Sequence, residues 1–356
     1  MDGDPGNETM DLPLSETLDR QLARWQRFAP CLGSNVTLID GRYGTWSGAA
    51  GWQTIDAATP MPVGARFYIY SITKTFVAAH LLQLGLEQER PISTYLPRLA
   101  LPDGVTVRRL LNHTAGVPSY TDLPDYVPAT CRDPGRPWST EEVIRRCCSG
   151  DLDFPPGEGW HYSNTGYLLL AEAVQAVTGR PLRASMADAI LTPLGLNRTY
   201  VADAVDLGLI TPGYTRQLSA DEAMMDIVPI YHPGWCLTGL MVSTTGEVAR
   251  FLATLMRGRF LDPVQLSAMT MPVSTGGGAG SFFRSPSYGF GLMIDPDWGH
   301  GGLFGHGGDG PGANTWAMYL PNFHGRELTL VAFCNTTMGG HPFYLVKDLL
   351  RVLAEM

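Results

Sequence analysis

The chain has 356 residues, of which 44% are hydrophobic and 17% charged, and its formal net charge is −9. That length and apolar content support a large composite fold or two domains with a real core, and they exclude broad disorder. The acidic balance, with no basic cluster larger than Arg108-Arg109 and Arg145-Arg146, argues against nucleic acid or an anionic membrane as a partner.

The stretch from Met1 to Gly6 is polar and acidic, and no basic residue precedes Arg20. It lacks the apolar core of a signal peptide, so the expectation is a cytoplasmic protein, with a trimmed leader left open. A helix is expected over 15–27, capped by Ser15, with Leu18, Leu22 and Trp25 on one face. Strands follow at 35–40 and 43–47 around a turn at Gly41. The segment Phe67-Tyr68-Ile69-Tyr70 leads into Ser71, and apolar spacing over 71–86 predicts a mostly buried helix carrying Phe76, Leu81, Leu82 and Leu84. Further helices are expected at 107–112, 140–148, 165–178 and 244–257, between Pro/Gly-rich loops. Strand character returns at 288–294, 315–320 and 328–334, and a last amphipathic helix covers 342–354, with Pro342 in its first turn. No apolar run has membrane-spanning length. The six cysteines have no disulfide rhythm and are expected to stay reduced, the adjacent Cys147 and Cys148 as ordinary half-buried thiols. Strands at both ends and helices between them predict an α/β (α+β) chain whose sheet is assembled from the two termini. The expected division is 1–70 with 286–356 as one domain and 71–285 as a mainly helical insertion, the site lying at their junction.

Of the 25 basic residues only two are lysines, and one of them, Lys74, stands three residues after Ser71. Arginine keeps its proton in proteins, whereas a desolvated lysine can act as a base. In Ser71-Ile72-Thr73-Lys74 a helix places hydroxyl and amine on one face, as a nucleophilic serine with a proton acceptor requires. A second group, Tyr162-Ser163-Asn164, follows the Pro/Gly-rich stretch 154–161 at a loop–helix junction. A lysine ammonium beside Tyr162 would favour its phenolate, which accepts a serine proton; Asn164 suits either a substrate carbonyl or the orientation of the lysine. The third group is the glycine run 305–312, containing His306, Gly308 and Asp309. Glycines admit close approach of a substrate, and the backbone N–H groups there suit an oxyanion. Taken alone this run reads equally well as a glycine hairpin. No Gly-Lys-Ser/Thr follows it, which removes a phosphate loop.

In this order the three groups resemble the serine β-lactamase and penicillin-binding-protein superfamily, closest to its class C β-lactamase, D,D-carboxypeptidase and carboxylesterase branch. That branch carries Ser-x-x-Lys, Tyr-x-Asn and Lys- or His-x-Gly. The flanking stretches 110–117, 154–157, 239–244 and 288–291 agree, and the resemblance runs from about residue 23 to the C-terminus. It implies a β-lactamase/transpeptidase-like fold, an antiparallel sheet flanked by helices with a large helical insertion. It also implies Ser71 as nucleophile, with Lys74 and Tyr162 relaying its proton and the formal base left open. The backbone N–H groups of Ser71 and Asp309 would form the oxyanion hole, and Asn164, His306, Gly308 and Asp309 would meet substrate. The expected partner is a small-molecule acyl substrate, and monomer and homodimer both stay open. No metal or organic cofactor is needed; His-Glu-x-x-His and Cys-x-x-Cys are absent, as is the Gly-x-Ser-x-Gly of α/β-hydrolases.

His306 stands where dedicated class C β-lactamases carry lysine. A histidine is mostly neutral at pH 7, and Asp309 adds negative charge, so recognition of the β-lactam carboxylate should be weak. Three readings follow: a hydrolase of esters or small amides, D-amino-acid peptide bonds included; a cytoplasmic serine acyltransferase in small-molecule biosynthesis; and a binding protein that keeps the fold without catalysis. Tyr120, Tyr126, Trp138, Tyr231 and Trp235 are expected in loops lining the cleft, where they would exclude water.

Overall fold

A computed structural model of the chain describes residues 9–355, apart from 57–58, 220–221, 278–281 and 338–339. The stretch Met1 to Gly6 lies outside the described residues. The first helix, Leu12–Phe28, starts earlier than its apolar spacing predicts because Asp11, not Ser15, caps it. The Asp11 carboxylate accepts the Leu14 N–H, and Pro13 occupies the first turn. Leu14, Leu18, Leu22 and Trp25 form its buried face.

Eight antiparallel strands make the main sheet, in the spatial order Gly44–Gly51, Gly33–Asp40, Arg326–Cys334, Ala313–Phe323, Leu303–Gly310, Met293–Asp295, Ser287–Tyr288 and Val273–Ser274. The two ends of the chain meet where Leu38 lies opposite Leu330. Side chains alternate across the strands, so Val36, Leu38, Leu328 and Leu330 share a core with helices Leu12–Phe28 and Pro342–Ala354. Ile39, Val331 and Phe333 face the opposite core, against helix Thr245–Met256.

The strand expected over 288–294 is two short strands, Ser287–Tyr288 and Met293–Asp295, folded back on each other through Gly291 at φ 66°. A Cβ at Gly291 would lie 2.5 Å from the Lys74 carbonyl oxygen, so this turn seats directly on the helix after Ser71. The glycine run is mostly strand as well. Within Leu303–Gly310, a Cβ at Gly308 would come within 2.3 Å of the Ile69 carbonyl oxygen, and one at Gly310 within 2.1 Å of the Tyr70 ring. Missing side chains let this strand lie against the segment that delivers Ser71.

Helix Thr73–Gln83 is buried from Thr73 through Leu82 and stops before residue 86, where Gly85 takes φ 70°. Helices Val107–Leu111, Thr140–Cys147, Asn164–Thr178 and Thr245–Met256 keep close to their expected bounds, with Thr106, Ser139, Ser163 and Thr244 as side-chain caps. Short strands join the helices: Met241–Ser243 pairs with Phe67–Tyr68 and Tyr200–Val201, and Tyr214–Thr215 pairs with Met225–Asp226. Among the described residues, no helix is long and apolar enough to cross a membrane.

Candidate active site

Ser71 lies in the 3-10 turn Tyr70–Ile72, which runs straight into helix Thr73–Gln83. Tyr70 adopts φ 43°, a strained backbone for a residue with a Cβ, and its phenol donates to the Pro311 carbonyl. That bond ties the turn to the end of strand Leu303–Gly310. One helical turn past Ser71, the Lys74 Nζ donates to Ser71 Oγ at 3.0 Å and to Asn164 Oδ1 at 2.7 Å. Lys74 is 1% exposed. Burial penalises its ammonium and lowers its pKa to about 7, so a neutral amine is available near neutral pH.

Asn164 opens helix Asn164–Thr178, whose cap is the Ser163 hydroxyl accepting the Gly166 N–H at 3.0 Å. The Asn164 Nδ2 donates to Thr121 Oγ1 at 3.0 Å, and its backbone N–H to Ser119 Oγ at 3.1 Å. The side-chain oxygen and one of its two N–H donors are thereby engaged, an arrangement that orients the lysine. Tyr162 holds its ring centre 4.9 Å from Lys74 Nζ. Burial pushes its phenol above the ordinary tyrosine range, outweighing the lowering by Ser71. This is opposite to the lowering expected beside a full ammonium.

A cavity of about 470 Å³ opens onto Ser71, Lys74 and Asn164, with Tyr120, Tyr126 and Tyr231 in its wall; Tyr162 is not among the described residues that line it. Trp138 and Trp235 stand behind that wall, their ring centres 5.7 and 5.8 Å from Tyr126. Asp309 also lines the cavity. Its carboxylate accepts from His341 Nε2 at 2.9 Å, and His341 Nδ1 accepts the Phe343 N–H, which leaves the ring proton on Nε2.

A family model described as Beta-lactamase matches residues 29–354. The chain belongs to the beta-lactamase family. Penicillin-binding protein 4* of Bacillus subtilis (strain 168) is 26% identical to it over 284 residues, covering 74% of this chain and 60% of that protein. The chain thus spans less than two thirds of that relative's length. Two solved structures match nearly end to end. A D-stereospecific amidohydrolase from Streptomyces sp. is 28% identical with a TM-score of 0.77, over 94% of this chain and 97% of that one. The D-amino acid amidase from Ochrobactrum anthropi SV3, complexed with D-phenylalanine, is 25% identical with a TM-score of 0.79, over 96% and 98% of the two chains.

In this member of the beta-lactamase family, His306 departs from its expected place. Its ring is buried behind Tyr162, with ring centres 6.2 Å apart, and is not among the described residues that line the cavity. Nδ1 donates to the Gly307 carbonyl, so Nε2 is left to accept from the Tyr288 hydroxyl at 2.8 Å. Burial lowers its pKa to about 3, so the ring is neutral at any working pH. Gly308 is also buried, and its backbone lies against Ile69 too closely to admit a Cβ. Sequence reasoning missed Tyr70, Ser119 and Thr121. Tyr70 was open to suspicion as the neighbour of Ser71, but Ser119 and Thr121 carry no local signal because their partner Asn164 is more than 40 residues away. Cys147 and Cys148 are buried and are not among the described residues that line the cavity; burial pushes both thiols up, Cys148 to about 12, which disfavours reactive thiolates. Among the described residues, no group of three or more His, Cys, Asp or Glu side chains is placed to hold a metal ion.

Proposed function

We propose that the chain is a serine acyl-enzyme hydrolase of an ester or small amide, with D-amino-acid amides and peptides as its leading substrate class. The observation that carries this reading is Lys74. A buried amine with its pKa near 7 donates to a serine hydroxyl at 3.0 Å in a cavity large enough for a small substrate. In its neutral form the amine takes the Ser71 proton as Oγ attacks the acyl carbonyl. The backbone N–H groups of Ser71 and Asp309 are the oxyanion donors of this scheme. The proton held by Lys74 then passes to the departing amine or alcohol, with the protonated Tyr162 phenol as relay. Water repeats the sequence on the acyl-serine and releases the acid. The relatives named as D-amino acid amidase and D-stereospecific amidohydrolase support the substrate class.

A second reading, acyl transfer to an amine or alcohol, rests on the rings of Tyr120, Tyr126 and Tyr231 in the cavity wall, which keep water away from an acyl-serine. Intact-mass spectrometry during reaction with an activated aryl ester separates the two, with Ser71→Ala as control. A wild-type adduct that decays within seconds in plain buffer supports hydrolysis. One that persists until an amine is added supports transfer, and no adduct together with no Ser71-dependent turnover rejects both.

A further inference from the structure

The stretch 110–117 resembles family sequence yet supplies no reacting group. It leaves helix Val107–Leu111 and places His113, 2% exposed, in the left-handed region at φ 65°. Side chains beyond glycine rarely adopt that conformation. Here it brings two acceptors of one residue onto one short segment. The His113 carbonyl accepts the His161 N–H at 3.0 Å, and its Nδ1 accepts the Ser163 N–H at 3.1 Å. The residues on either side of Tyr162 are therefore both tied to His113. Its ring centre also lies 4.3 Å from that of Tyr162, closer than its distances to Tyr288 and Tyr167.

Because Nδ1 accepts a backbone N–H, the ring proton sits on Nε2, which is buried without a hydrogen-bond partner among the described residues. An apolar side chain would fill this space without an orphaned N–H, so packing alone does not account for a histidine. Burial, reinforced by the charge of Lys74, holds its pKa well below the ordinary histidine range, which keeps Nδ1 an acceptor.

We propose that His113 is a positioning residue that clamps the backbone on both sides of Tyr162 and so holds the phenol at Ser71 and Lys74. The inference rests on Ser71, Lys74 and Tyr162 being the reacting groups. The carbonyl half of the clamp survives any substitution, and the side chain supplies the Nδ1 half. Asparagine tolerates left-handed φ and offers an acceptor; glycine tolerates it and offers none.

Steady-state hydrolysis of p-nitrophenyl acetate by the full chain tests this, with His113→Asn, His113→Gly, Tyr162→Phe and Ser71→Ala, and a thermal melt for each. A displacement of about 1 Å at a reacting group costs roughly 100-fold in rate. We expect a folded His113→Gly to lose about 100-fold in kcat with KM within about threefold, and His113→Asn to stay within about tenfold of wild-type kcat. Wild-type kcat in His113→Gly, a loss confined to KM, or equal impairment of the two folded variants would overturn the clamp. Should His113→Gly fail to fold, His113→Asn decides alone: kcat within about tenfold supports the clamp, and a loss near 100-fold overturns it. Unchanged kcat in Tyr162→Phe would leave nothing to position and also overturns it. Turnover surviving in Ser71→Ala would show instead that the reading of the site itself has failed.

Discussion

Asn164 and Lys74, ninety residues apart in the chain, meet at 2.7 Å between Oδ1 and Nζ. The contact joins the start of helix Asn164–Thr178 to the first turn of helix Thr73–Gln83. With Thr121 holding the other end of the amide, the amine is aimed at Ser71 while it stays out of water.

Removal of that amine should stop acylation. Lys74→Arg keeps a cation in place but cannot release its proton, and we expect it to slow formation of the acyl-enzyme by about 10³-fold, like Lys74→Met. Stopped-flow or quenched-flow acylation with an activated aryl ester measures this. A rate for Lys74→Arg within about tenfold of wild type would contradict the assignment of Lys74 as base.

The pH profile carries a sign. Burial lowers the Lys74 pKa to about 7, so the active neutral amine is the form present above that pH. Acylation should fall roughly tenfold per pH unit below about 7 and level off above about 8. Because the Tyr162 phenol is raised rather than lowered, no second limb should appear in the ordinary tyrosine range. A profile of kcat/KM on an uncharged ester checks both arms, and a flat line from about pH 5.5 to 8.5 would speak against Lys74 as the titrating base.

Gly308 offers a test that touches no reacting side chain. A Cβ there would lie 2.3 Å from both the Ile69 carbonyl oxygen and Thr315 Oγ1, and the carbonyl belongs to the backbone that delivers Ser71. Gly308→Ala must push strand Leu303–Gly310 away from the turn, widening the gap between Ser71 and Asp309. We expect a folded protein with kcat reduced about tenfold to 100-fold. Kinetics alongside circular dichroism measure the two quantities separately, and wild-type kcat would show that the seating of this strand does not matter.

Recognition of a β-lactam carboxylate wants a fixed cation beside the serine. His306 is buried and neutral, and among the described lining residues Lys74 carries the only basic side chain, already bonded to Ser71 and Asn164. Asp309 brings negative charge to the same cavity. Nitrocefin turnover should therefore stay well below a kcat/KM of about 10⁴ M⁻¹s⁻¹. Steady-state hydrolysis in that range or above would refute the charge argument.

Much of the fold was legible because its signals are local. Helix 342–354 shows its face in a 3.6-residue rhythm, and the strand signals at 35–40 and 328–334 fall inside strands Gly33–Asp40 and Arg326–Cys334, whatever their partners turn out to be. The first cap was as local a signal, yet it is Asp11 and not Ser15. The glycine run is a strand because it pairs with Ala313–Phe323 and Met293–Asp295, distant partners that its own residues do not announce.

By itself the sequence determined which groups are present and how they are spaced: a serine and a lysine three residues apart where one helix begins, and a tyrosine and an asparagine where another does. The tertiary structure decided their proton states and their company. Desolvation of Lys74, the raised phenol of Tyr162, the retreat of His306 behind it and the grip of Asn164 on the amine all depend on distant segments. A pKa is set by everything packed around a group, and that neighbourhood exists only once the chain has folded.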